Sequence, residues 1–117
     1  MGLTTWSPLS AGLLSGTYLD GVPEGSRATL PGYEWLRNLL TDPVRNDKVR
    51  SLGSIAEELD CSLAQLSIAW CASNPRVSTV ITGASKVGQV DDNFGPLEVL
   101  EALTPEHIER INTAVAP

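Results

Sequence analysis

The hydrophobic pattern along the chain changes period several times, and each change marks an element. Gly2-Leu3-Thr4-Thr5-Trp6 is rich in β-branched and aromatic side chains and predicts a short buried strand. Pro8 disfavours helix at Ser7, so the strand stops there and opens into a loop of small residues, Leu9 to Tyr18. Gly12 and Gly16 give that loop conformational freedom, while Ser7, Ser10 and Ser15 place hydroxyls and amides with little bulk between them. The stretch reads either as a plain surface turn or as backbone that lies against a ligand. From Asp20 to Gly32 turn formers dominate without periodicity, the sign of a long connection. Arg27 is the only cation between Met1 and Arg37, and it faces either a ligand or solvent.

Helical periods follow. Tyr33 to Leu40 predicts a short helix with its aromatic and leucine positions on one side. Asp42-Pro43 supplies a capping carboxylate and a first-turn proline, and Val49, Leu52, Ile55, Ala56 and Leu59 recur every three or four residues up to about Asp60. Ser62-Leu63-Ala64-Gln65 fits a capping box. The helix behind it, to about Ser73, is apolar around much of its circumference and needs partners on more than one side; Asn74-Pro75 ends it.

Val77 to Thr82 predicts a second short buried strand, and Gly83-Ala84-Ser85 turns into a helix from about Lys86 to Phe94 with Ser85 as its cap. Strand, glycine turn and helix start can present free amides to an anion, with Gln89 and Asn93 close by, or can simply be a βα turn. Thr104-Pro105-Glu106 opens a last helix with Ile108, Ile111 and Val115 on its apolar side. Alternating strands and helices imply an α/β fold with parallel strands. Two strands alone make a poor parallel sheet, so the expectation is a part of a larger barrel or sheet.

Composition narrows the functional classes. Fourteen acidic against eight basic residues give a net charge of -6, which argues against nucleic acid or an anionic membrane as the main partner. Cys61 and Cys71 stand ten positions apart and His107 is the only histidine, so a His/Cys metal site is not expected and reduced thiols are. No apolar run is long enough to cross a membrane, and no secretory pattern opens the chain. Met1-Gly2 invites myristoylation, but Trp6 stands where that signal wants Ser or Thr. The cytoplasm is the expected compartment.

Three separated blocks carry a resemblance: Gly2 to Leu9 with Gly12-Leu13-Leu14, then Ala64 to Cys71, then Ile81 to Ser85 with Gln89 and Asp92-Asn93. In this order they resemble the C-terminal portion of the aldo-keto reductases. Arg27-Ala28-Thr29 followed by Gly32 to Leu36 is most similar, within that family, to the cytoplasmic β subunits of voltage-gated potassium channels.

The resemblance implies a (β/α)8 barrel, with the two strands as its seventh and eighth and residues 1–117 as one partial NADP(H)-dependent oxidoreductase domain. It implies that Trp6 lies along the nicotinamide and that Ser7, Pro8, Leu9, Ser10 and Gly12 line the pyrophosphate. Arg27, Ser85, Gln89, Asp92 and Asn93 would surround the adenosine end, with Gly83 and Ser85 near its 2′-phosphate. The implied reaction is hydride transfer to a small-molecule aldehyde or ketone.

Two departures limit the expectation. Thr17 stands where the channel subunits usually carry Lys before the tyrosine, here Tyr18. The family's catalytic Asp, Tyr, Lys and His belong to earlier barrel strands, so neither Tyr18, Tyr33 nor His107 is promoted to proton donor, and the chain alone is expected to be inactive. The competing expectation is a non-enzymatic regulatory subunit that associates with a voltage-gated potassium channel α subunit, and so with the plasma membrane only peripherally, or with other barrel subunits as a homo-oligomer. A third is a longer product in which Met1 is an internal start.

Overall fold

The computed structural model describes residues 1–117. Two parallel strands, β1 (Leu3–Trp6) and β2 (Val77–Ile81), pair with Thr4 opposite Thr79 and Trp6 opposite Ile81, after a register shift between Leu3 and Thr4. The crossover between them carries α1 (Glu34–Leu40), α2 (Pro43–Glu58) and α3 (Leu63–Ser73). After β2 come α4 (Val87–Asp92), α5 (Pro96–Ala102) and α6 (Pro105–Val115). This mixed α/β order with a parallel pair is the one the sequence implies. No helix is long and apolar enough to cross a membrane.

The caps explain where the helices start. Asp42 Oδ1 accepts from the Val44 and Arg45 amides at 2.8 and 3.2 Å, with Pro43 at the first helical position, where its missing N–H costs nothing. Ser62 and Gln65 form the reciprocal capping box, each side chain bonding the other's amide at 3.1 Å. Thr104 caps α6 through the His107 amide, and the His107 ring returns the bond by accepting from the Thr104 amide at Nδ1. With Nδ1 an acceptor, His107 carries its hydrogen on Nε2, which faces Glu58 at 3.3 Å.

Packing gathers the apolar faces into two clusters. Leu52, Ile55 and Ala56 of α2 meet Leu66 and Ala69 of α3, Val99 of α5 and Ile111 of α6. A second cluster joins Leu13, Tyr18 and Ala28 to Leu36 and Leu40 of α1 and Val49 of α2. Leu14 and Leu63 pack against both and join them. The buried Asn46 amide donates to the Leu40 carbonyl at 3.0 Å, satisfying an acceptor that the end of α1 leaves open.

Three expectations change. The strands are not buried: both expose most of their positions, with Trp6 80% and Ile81 52% accessible, because a two-stranded sheet covers neither its edges nor its outer face. Ser85 does not cap α4. Lys86 occupies that position in extended conformation, and the helix is shorter than expected at both ends. Finally, α5 is an element the sequence reading lacks. Gly95-Pro96 reads as a breaker, yet Pro96 is a first-turn proline, and Val99 of α5 is the partner that the apolar α3 requires.

Candidate functional site

At the C-terminal ends of both strands the chain leaves the sheet into loops, and these form the walls of a cleft of about 600 Å3. The first wall follows β1. Ser7, Ser10 and Ala11 all have positive φ, between 50° and 58°, with Gly12 at 102° and Gly16 at 78°. Three non-glycine residues in the left-handed region within five positions is a concentration of backbone strain of the kind functional loops hold. A 3-10 stretch, Ser10–Ser15, broken at Ala11 and Gly12, then drives Leu13 into the second apolar cluster. Tyr18 is 4% exposed and anchors the end of this loop there, so it is a core residue. Ala28 buries the short turn Arg27–Thr29 against the same cluster and leaves the Arg27 side chain exposed toward the cleft.

The second wall is the β2–α4 turn. Gln89 Oε1 accepts from the Ser85 amide at 2.8 Å, the Ser85 hydroxyl at 3.2 Å and the Lys86 amide at 3.2 Å. The amides expected to stand free for an anion are therefore occupied by the Gln89 carboxamide, and a ligand there meets a side-chain network. Asn93 Nδ2 donates to the Gly83 carbonyl at 3.5 Å, closing the turn from its far end.

Ten of the twelve residues singled out from the sequence line the one cleft. Trp6, Ser7, Pro8, Leu9, Gly12 and Arg27 come from the first wall, and Gly83, Ser85, Gln89 and Asn93 from the second. Asp92 lines a smaller neighbouring cleft of about 290 Å3 that shares Leu9, Gly12, Gly83, Gln89 and Asn93 with the larger one. Ser10 is the exception and lines neither. The structure adds residues that sequence reasoning missed. Ile68 of α3 and Ile81 of β2 form an apolar floor, and Gln65 reaches the smaller cleft beside Ser15 and Thr17 of the loop already singled out. Their signal in the sequence was masked by other roles, since Ile68 and Gln65 sit in a helix that reads as core and cap.

Charge in the cleft is sparse. Arg27 is the only cationic residue lining it, and Asp92 is the only carboxylate lining its neighbour. Thr17, at the place of the expected lysine, hydrogen-bonds Ser15 through the two hydroxyls at 2.7 Å. The groups whose protonation the fold perturbs lie elsewhere. Arg110 and His107 hydrogen-bond Glu58 and hold its carboxyl below the ordinary value, while partial burial raises the Cys61 and Cys71 thiols. An exposed indole, a small-residue backbone and one guanidinium can hold a flat ring joined to phosphates.

A protein of Oryza sativa subsp. japonica named "Probable voltage-gated potassium channel subunit beta" is 52% identical over 98% of this chain. One of the same name from Arabidopsis thaliana is 48% identical over the same share. The chain spans about a third of their length, 35% in each case. Residues 1–116, which include both strands, both cleft walls and all six helices, match the aldo/keto reductase family as a whole, and the chain belongs to that family.

Proposed function

We propose that the cleft is one side of an NADP(H) site and that the chain contributes strands seven and eight of a (β/α)8 reductase barrel. The observation that carries this reading is that ten residues which the resemblance assigns to the cofactor line one cleft at the C-terminal end of a parallel strand pair, although the segments that supply them, residues 6–27 and 83–93, are more than fifty positions apart. The fit to the cofactor is physical. Trp6 offers an exposed aromatic face to a nicotinamide, the left-handed loop from Ser7 to Gly12 lets phosphates approach the backbone closely, and Arg27 supplies a charge for them. Bound NADPH would supply hydride to a carbonyl carbon. The residues here bind and orient; no group in this cleft is assigned the proton transfer, so the isolated chain is read as inactive in carbonyl reduction.

Titration of the chain with NADPH, followed by tryptophan fluorescence, tests the reading. Trp6 quenching is expected, and Arg27→Ala should weaken binding by roughly tenfold or more, the effect of losing one charged hydrogen bond. No quenching at millimolar NADPH would sink the proposal.

A second reading is favoured by the names of the plant relatives, which are those of channel subunits. On it the chain belongs to a regulatory subunit that sits against a voltage-gated potassium channel on the cytoplasmic side, and the cleft senses the nucleotide. Co-purification of the chain with a plant channel α subunit, abolished by competing full-length β subunit, would favour it.

A further inference from the structure

The second wall of the cleft has an unusual anchorage. Helix α4 buries no residue at all, and Val87 is 82% exposed. The bonds from Gln89 and Asn93 lie within residues 83–93: they shape the turn without fixing it to the rest of the molecule. Apart from the main-chain bonds by which Phe94 and Gly95 carry the chain on into α5, one hydrogen bond reaches this segment from outside. Gln65, at the start of α3, uses its Oε1 to accept from the Ser62 amide and turns its Nε2 across to the Asp92 main-chain carbonyl at 3.2 Å. One carboxamide thus ties the helical layer to α4. The residue where α4 hands over to α5, Gly95, makes room for it, since a Cβ built there would collide with Gln65 Nε2.

We infer that Gln65 is a positioning residue for the nucleotide: by holding the Asp92 carbonyl it sets Gln89, Asp92 and Asn93 at their distance from the Leu9–Gly12 wall, and so controls affinity for the adenosine half of the ligand. The inference rests on the dinucleotide reading above, and it assigns Gln65 a task beyond its helix cap. Gln65 itself lines the smaller cleft beside the three residues it positions.

The test uses the full chain and three variants. Gln65→Met keeps the length and removes the amide. Gly95→Ala leaves Gln65 in place and drives its amide aside without changing charge. Thr104→Ala weakens the cap of α6, whose residues line neither cleft, and matches the loss of helix stability alone. Two readouts separate tether from ligand. In millisecond hydrogen exchange, the amides of residues 83–93 should exchange roughly three- to tenfold faster in Gln65→Met and Gly95→Ala, the effect of one hydrogen bond, and unchanged in Thr104→Ala. Calorimetric titration with adenosine 2′,5′-bisphosphate should weaken by a similar factor in the same two variants, while nicotinamide mononucleotide binds as to wild type. Unchanged exchange in both variants overturns the tether. Faster exchange with unaltered bisphosphate affinity overturns the positioning role, as does equal weakening in Thr104→Ala. A wild-type chain that binds neither probe overturns the dinucleotide reading, and the exchange data still decide whether Gln65 holds the wall.

Discussion

Gly12 lines both clefts, and its replacement by alanine measures how rigid the first wall is. Its φ of +102° lies well outside the left-handed well near +57° that L-residues tolerate, so an alanine there carries a backbone cost of about 1–3 kcal/mol. The added Cβ also meets Tyr18 Cε2 at 3.3 Å, a contact tighter than van der Waals packing allows without adjustment. Tyr18 is 4% exposed and embedded among Leu13, Ala28 and Leu36, so its ring cannot swing clear, and forcing it aside adds about 1–3 kcal/mol. The expected loss is therefore about 2–6 kcal/mol, a large share of the ~5–15 kcal/mol that holds a domain together. In urea, with a slope of about 2 kcal/mol/M, the midpoint should fall by on the order of 1–3 M at unchanged slope. Gly21→Ala is the internal reference: its φ of +129° is as unfavourable, but nothing lies within 4 Å of the new Cβ. It should cost the backbone share alone. If Gly12→Ala stays within about 0.5 kcal/mol of wild type, the strained-loop reasoning fails; if it merely equals Gly21→Ala, the Tyr18 contact contributes nothing.

Leu40→Ala empties a fully buried position in the second cluster and should cost about 2–5 kcal/mol in the same assay, with fluorescence and circular dichroism transitions coincident because Leu14 and Leu63 join the two clusters; a loss under about 1 kcal/mol, or separated transitions, would contradict this packing. Arg110 first, and His107 second, lower the Glu58 pKa below its ordinary 4.5, so the stability this carboxylate contributes is complete above that value and disappears as pH falls through the lower folded one. Glu58→Gln should flatten that acid limb of the stability profile, and an unchanged limb would show that the ion pair does not act in solution.

What the sequence made legible is what local chemistry decides. Asp42, Ser62 and Thr104 cap their helices because their side chains need only reach an amide two or three residues on, and such a bond is visible in the residue spacing. The parallel pairing of β1 and β2 followed from the alternation of strand and helix. Burial was misread at both strands, because a run such as Val77-Ser78-Thr79-Val80-Ile81 specifies extended backbone and not what covers it. Helix α5 was hidden because Gly95-Pro96 has the same composition as a stop signal, and only the contact of Val99 with α3 shows it to be a start. The positive φ at Ser7, Ser10 and Ala11 had no signal either, since none of these residue types favours it. Ten of the residues singled out line one cleft, yet the capture of the Ser85 and Lys86 amides by Gln89 was not expected, because any of several nearby acceptors could have taken them.

The two walls are held by different forces, and this bears on how the cleft can respond to a ligand. Leu13, Tyr18 and Ala28 fasten the first wall to an apolar cluster, so its shape is as stable as the core beneath it. The second wall, from Gly83 to Asn93, buries no apolar side chain and depends on carboxamides, each bond of which contributes only about 1 kcal/mol net. Local opening of that segment therefore requires far less free energy than opening the Leu9–Tyr18 loop. A ligand that bridges the cleft gains its contacts on the first wall without reorganisation and must order the second as it binds. Substitutions on the first wall should then act on affinity through stability and shape together, as at Gly12, whereas those that loosen the second, as at its tether Gln65, should change affinity and local exchange while leaving the unfolding midpoint near that of a cap variant.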